Sequence, residues 1–155
     1  MWDTISAAVA AAGSLLTAGV YFAFAAMVMP ALRPDARTGV AAMRAVNRWA
    51  VRPPFMILFF GTAVLSVVVL VISLLGRELL AGVGAAGYLA GVAITVFGNV
   101  PLNDGLDRAA EAGGSARADD EAAWAAFAGP WERLNLARAV VSALGGALLL
   151  LHVLV

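Results

Sequence analysis

Four long apolar runs divide the chain, and charged or polar residues return only between them. Ile5 to Met29 is uncharged and ends at Pro30. A bilayer core of about 30 Å takes about 20 residues of helix, so this run predicts a first membrane span over about 5–29. Phe55 to Gly76 is uncharged and rich in Val, Leu and Phe; Arg77 and Glu78 follow, and Leu79 to Gly98 is uncharged again. These runs predict spans over about 55–76 and 79–98, joined by a tight turn. Leu134 to Val155, apolar apart from Asn135, Arg138 and His152, predicts a fourth span over about 134–155. The ten-residue alternation of a membrane barrel is absent, and a lipid-exposed strand has no other way to satisfy its backbone. The pattern therefore predicts an all-α fold: one integral-membrane domain over residues 1–155, an up-down four-helix bundle. An N-terminal signal peptide would want a basic leading segment and a shorter apolar core, whereas this chain opens with Trp2 and Asp3.

Composition agrees with the pattern. Hydrophobic residues make up 63% of the 155 positions, charged residues 13%, and mean hydropathy is +0.92, against roughly half and a quarter in ordinary soluble domains. Ten basic and ten acidic residues balance, so no basic excess points to nucleic acid. The absence of cysteine excludes disulfides, thiolate metal sites and cysteine nucleophiles. Small-xxx-small pairs, Gly19 with Ala23, Gly87 with Gly91 and Ser142 with Gly146, favour close helix packing and leave homo-oligomerisation open.

Charge distribution predicts orientation. The connections 30–54 and 99–133 hold eight arginines, Arg33, Arg37, Arg44, Arg48, Arg52, Arg108, Arg117 and Arg133, against Arg77 alone on the other side. Basic residues concentrate on the cytoplasmic side, so both long connections are expected there, in the cell membrane, with both termini opposite. At 100° per residue, Arg37, Arg44, Arg48 and Arg52 share one face while Val40, Met43 and Val46 lie elsewhere. This predicts an interfacial amphipathic helix between spans one and two. Its arginines face headgroups, or pair with the acids of a partly helical second connection, Asp104, Asp107, Glu111, Asp119, Asp120, Glu121 and Glu132, to close a lid.

Ionisable or amide groups inside membrane spans are functional candidates. Arg138 lies about one turn into the fourth span and Asn135 three residues before it, on the same face. Asn99, Pro101 and Asn103 end the third span, where a proline frees a backbone carbonyl. Asn47, Arg48 and Tyr21 map to the same end. Trp124, Phe127 and Trp131 recur at helical spacing, either as an interfacial aromatic belt or as a platform for a planar ligand. His152 lies about 21 Å along the helix from Arg138, without a second histidine or a cysteine to share a metal. Walker loops, GxGxxG elements and serine–histidine dyads are missing. Proton-coupled transport usually uses a carboxylate within a span, and the spans contain none.

Met29-Pro30-x-Leu32, the stretch Ala42 to Arg48 followed by Pro54-Phe55, Asn99-Val100-Pro101-Leu102-Asn103, and Trp131-x-x-x-Asn135-x-x-Arg138 together resemble the anthrone oxygenase-like family of small four-helix membrane proteins. The resemblance spans roughly residues 8–150. Two positions depart from it: Leu134, where many relatives carry a second tryptophan, and Pro53, where asparagine is common. Membership implies oxidation of an anthrone to an anthraquinone by molecular oxygen as co-substrate, without metal or flavin. The implied partner is a flat, hydrophobic aromatic molecule reaching the site from membrane lipid. On that reading Arg138, Asn135 and Asn103 are catalytic, stabilising a substrate oxyanion, and Asn99, Trp131, Asn47, Tyr21 and Arg48 bind substrate. Asp104, Asp107 or Glu132 would serve as base if buried. Two other readings stand beside it: a structural hydrogen-bond network tying the loops to the bundle, and a transporter with a path past Gly87 and Gly91.

Overall fold

The computed structural model describes residues 2–112 and 117–155; the side chains of Trp2, Asp3, Ala112 and Arg117 lie outside the described residues. Helix α1 (Trp2–Ala23) runs through a π-helical turn, Phe24–Val28, into the short α2 (Met29–Leu32). Then come α3 (Ala36–Ala50), α4 (Pro53–Gly76) and α5 (Leu79–Ile94). A second π-helical turn, Thr95–Asn99, joins α5 to α6 (Val100–Ala112), and α7 (Arg117–Leu154) closes the chain. Among the described residues, four helical rods are long and apolar enough to cross a membrane: Thr4–Leu32, Pro53–Gly76, Leu79–Glu111 and Ala118–Leu154. The all-α four-helix architecture is as the hydropathy pattern implies.

The last two rods are longer than the apolar runs. The connection 99–133 is helical in part, as expected: α6 continues the third rod to Ala112 and α7 opens at Arg117. Pro101 is accommodated in the first turn of α6, directly after the π turn, and Pro130 lies within α7. Hydropathy locates where helices leave the hydrocarbon, whereas backbone hydrogen bonding continues into water.

Between α4 and α5 the chain reverses at Arg77, whose φ of 59° places it in the left-handed region. The backbone N–H groups of Arg77 and Glu78 both donate to the Ser73 carbonyl, the latter at 3.0 Å, which satisfies an end of α4 that would otherwise lack a partner.

Helix α7 packs along both α1 and α5, and α4 closes the opposite side. Glycine makes this possible: a Cβ at Gly84 would meet the Gly145 backbone, and one at Gly145 the backbone of Gly84 and Tyr88. Gly87 and Gly91 face Val141, Ser142 and Gly145, and Gly146 faces Ala11 and Leu15. Of the small-residue pairs in the sequence, Gly19 with Ala23 is the exception, because Gly19 is exposed with open space beside it.

Two apolar cores result. At the end carrying the termini, Ala7, Ala10, Ala11, Val69, Ala81, Ala85 and Leu149 are buried together. At the loop end the core is bulky: Met29, Val40, Met43, Leu106, Trp124, Phe127 and Trp131. Trp124, Phe127 and Trp131, the aromatic stripe of the sequence, belong to this second core. All three are buried, because α3 and α6 fold over the extension of α7.

Candidate functional site

The α3 arginine stripe is divided between two environments. Arg44 turns to α6, pairing with Asp107 at 2.9 Å and Glu111 at 3.6 Å, while Arg48 stays exposed. Arg33, from the preceding turn, donates to both carboxylate oxygens of Glu132. That hydrogen bond holds the Arg33 guanidinium above its ordinary pKa. The ion pairs of Arg44 and Arg33 thus fasten the lid, while Asp119 is exposed and Asp120 half-buried.

Beneath it, three rods bring polar side chains together. The π turn in the first rod begins three residues after Tyr21, and the π turn in the third rod begins at Thr95. Such turns recur at functional sites because each inserts a residue and re-aims the side chains that follow. Arg138, from α7, is 7% exposed. Its Nε and Nη2 donate to Asn135 Oδ1 at 3.3 and 3.0 Å, and Nη1 donates to Thr95 Oγ1 at 3.2 Å. The guanidinium lies 4.0 Å over the Tyr21 ring and 5.3 Å from the centre of the Trp131 ring.

Asparagines lock this cation in place. Asn135 Nδ2 donates to the Tyr21 carbonyl at 2.8 Å, tying α7 to α1, and Asn99 Nδ2 donates to the Trp131 carbonyl at 3.2 Å. Trp131 Nε1 donates to Asn103 Oδ1 at 2.9 Å, and its ring packs against Phe24 with centroids 5.8 Å apart. Six of the eight residues singled out in the sequence are therefore connected: Arg138, Asn135, Asn103, Asn99, Trp131 and Tyr21. Asn47 lies half-buried on the α3 face that carries Val40 and Met43. Arg48 points away, with no hydrogen bond or ion pair to the group among the described residues.

Sequence reasoning missed Thr95. Its hydroxyl accepts from Arg138, lies 3.5 Å from the Tyr21 hydroxyl and donates to the Gly91 carbonyl at 2.9 Å. Its position one turn before Asn99 was the available signal. The three carboxylates considered as bases do not reach the cluster: Asp107 and Glu132 are held by Arg44 and Arg33, and Asp104 is exposed.

Among the described residues no carboxylate pairs with Arg138, whose charge meets only amide and hydroxyl dipoles and two ring faces. Three of its five N–H groups are used in these bonds. Buried polar atoms are also unspent: Asn99 Oδ1 within the group, Ser142 Oγ one turn beyond Arg138 and Asn47 Nδ2 on α3 have no partner among the described residues, a state that costs about 1–3 kcal/mol per group. A cation with spare donors, flanked by aromatic faces, suits a flat oxyanion. A cavity of about 260 Å³ at the same end, between Arg33, Asp35, Arg37, Glu121 and Trp124, shares none of these residues.

Comparison with known proteins gives one result. A family described as anthrone oxygenase matches residues 54–148, more than half of the chain, a stretch that includes Thr95, Asn99, Asn103, Trp131, Asn135 and Arg138. No curated protein and no solved structure matches the chain.

Proposed function

The chain belongs to the anthrone oxygenase family, and from that premise we propose that it is a cofactor-independent oxygenase acting on a flat phenolic, polyketide-type substrate at the loop end of the bundle. The observation that carries this reading is Arg138, a buried cation that no carboxylate among the described residues pairs with. Burying a charge is costly unless it is paired. An anionic substrate removes that cost when it binds, and a guanidinium already fixed by Asn135 and Thr95 needs no reorganisation to stabilise it.

The chemistry balances without a redox cofactor. Loss of one ring-methylene proton turns an anthrone into a delocalised oxyanion, which Arg138 and Asn135 stabilise beside Tyr21 and Trp131. Oxygen adds at the same carbon and takes up a proton to give a hydroperoxide. Loss of the second methylene proton, with cleavage of the O–O bond, leaves the new carbonyl and releases water. One oxygen atom enters the product and the other leaves as water. With no carboxylate at the cluster among the described residues, the substrate binds as its anion, the form that Arg138 favours. Asn103 acts through Trp131, whose edge it orients. Asn99 Oδ1 and Asn47 Nδ2 supply an acceptor and a donor for ring substituents. Arginine asymmetry supports cytoplasmic placement of this end in the cell membrane.

The structural reading also has a specific basis, since Asn135 and Asn99 each bridge two rods through a backbone carbonyl. The transporter path past Gly87 and Gly91 is filled by Val141, Ser142 and Gly145.

Oxygen uptake and quinone absorbance, measured with a hydroxyanthrone and protein in mild detergent, test the proposal. Wild type should consume one O2 per quinone above the autoxidation background, and Arg138→Met should lose about 100-fold or more while remaining folded. Full turnover in that variant, or none above background in wild type, would overturn the assignment.

A further inference from the structure

The chain carries no acid between Asp35 and Glu78, although Arg37, Arg44, Arg48, Arg52 and Arg77 fall in that stretch. Arg44 takes its partners from α6. Among the described residues, Arg48 and Arg52 have no ion pair, and both are exposed. Between them stands Trp49, 66% exposed, with the Arg52 guanidinium stacked 4.0 Å over its ring; Val51 is 71% exposed. These four residues form the corner at which α3 gives way to α4.

Three features fix what this corner meets. The first is depth. Helix α4 starts at Pro53 and has 24 residues, about 36 Å of helix, enough to cross the hydrocarbon, so Arg52 stands where that core meets the headgroups. The second is charge: two arginines without an acid of their own sit at the N-terminus of α4, the positive end of its dipole. The third is polarity. A soluble anion would account for Arg48 and Arg52 but leave Trp49 and Val51 bare in water, whereas an amphipathic ring at the interface is satisfied by lipid.

We propose that Arg48, Trp49 and Arg52 form a binding site for the phosphate headgroup of an anionic phospholipid, with Val51 against the upper acyl chain. Guanidinium groups fork onto phosphate oxygens, and the stack on Trp49 holds one of them in position beforehand. This site is independent of the Arg138 cluster. It gives Arg48 a ligand of its own, in place of a role at the oxygenase site.

Native mass spectrometry of the detergent-solubilised full chain, titrated with phosphatidylglycerol and with phosphatidylcholine of the same acyl chains, tests the site. Wild type should prefer the anionic lipid by about 30-fold, the effect of two arginines near a surface. Arg48→Gln with Arg52→Gln should lower the preference to within about 2-fold, and Trp49→Ala should weaken both lipids. Arg108→Gln with Arg133→Gln, at exposed positions on the same end, should leave the preference intact. Equal binding of the two lipids by wild type would overturn the site. So would a preference that survives the first double substitution, or one lost equally in the second, which would mark diffuse charge. Displacement of phosphatidylglycerol by millimolar inorganic phosphate would identify a simple anion site and overturn the lipid assignment.

Discussion

The two ends of the bundle hold the same rods together in opposite ways. At the terminal end the core is alanine with one valine and one leucine, and Gly84, Gly145 and Gly146 let backbones touch. At the loop end the core is mostly Met, Trp and Phe, with one valine and one leucine, and Arg138, Asn135 and Asn99 are buried at the same end. Inside a bilayer no hydrophobic force separates helix from lipid, so rods associate where small residues permit close approach. Beyond the hydrocarbon, water restores that force, and large side chains under α3 and α6 become the stronger glue. The difference teaches where function fits. A backbone-to-backbone seam leaves no room for a ligand, whereas the end built of long side chains, with two widened turns, buries a cation and two amides together.

Substitutions can break or sharpen that contrast. The largest effect is expected from Phe127→Ala, which empties a buried ring position in the loop-end core and should cost about 3–5 kcal/mol; thermal unfolding in detergent measures it. Gly145→Val attacks the other end, where a Cβ meets the backbone of Gly84 and Tyr88. A loss of about 1–3 kcal/mol is expected, and a stability equal to wild type would show that the seam is looser than its geometry. Asp107→Asn removes one arm of the part-exposed Arg44 clasp and should shift stability by less than about 1 kcal/mol, an effect that shrinks as salt is raised. Gly19→Ala should change stability by no more than about 0.5 kcal/mol, because nothing lies beside it. A marked change in dimerisation from that substitution would assign the exposed glycine face to a second copy.

Much of the site could be read from the chain in advance. Arg138 and Asn135 stood out as polar groups in an apolar run, and Asn99 and Asn103 flank a proline at the end of another. Thr95 escaped notice because an isolated threonine in a span normally bonds its own helix, as this one does to Gly91. The aromatic triplet was visible as a stripe, but its burial depended on α3 and α6, whose positions follow from contacts with residues far away in sequence. Carboxylates near the site looked available as bases because charge balance says nothing about which arginine claims each acid.

The sequence by itself determined four segments long and apolar enough to cross a membrane and the uneven distribution of arginines between them, because transfer from water to lipid is a local, additive property of each segment. Only the tertiary structure decided that Arg138 rests on Tyr21, more than a hundred positions away, and shares Thr95 with it. Those pairings depend on how each rod is rotated about its axis. The two π turns reset that rotation by about one residue, roughly 100°, so the phase that periodicity assigns at one end of a helix no longer holds at the other.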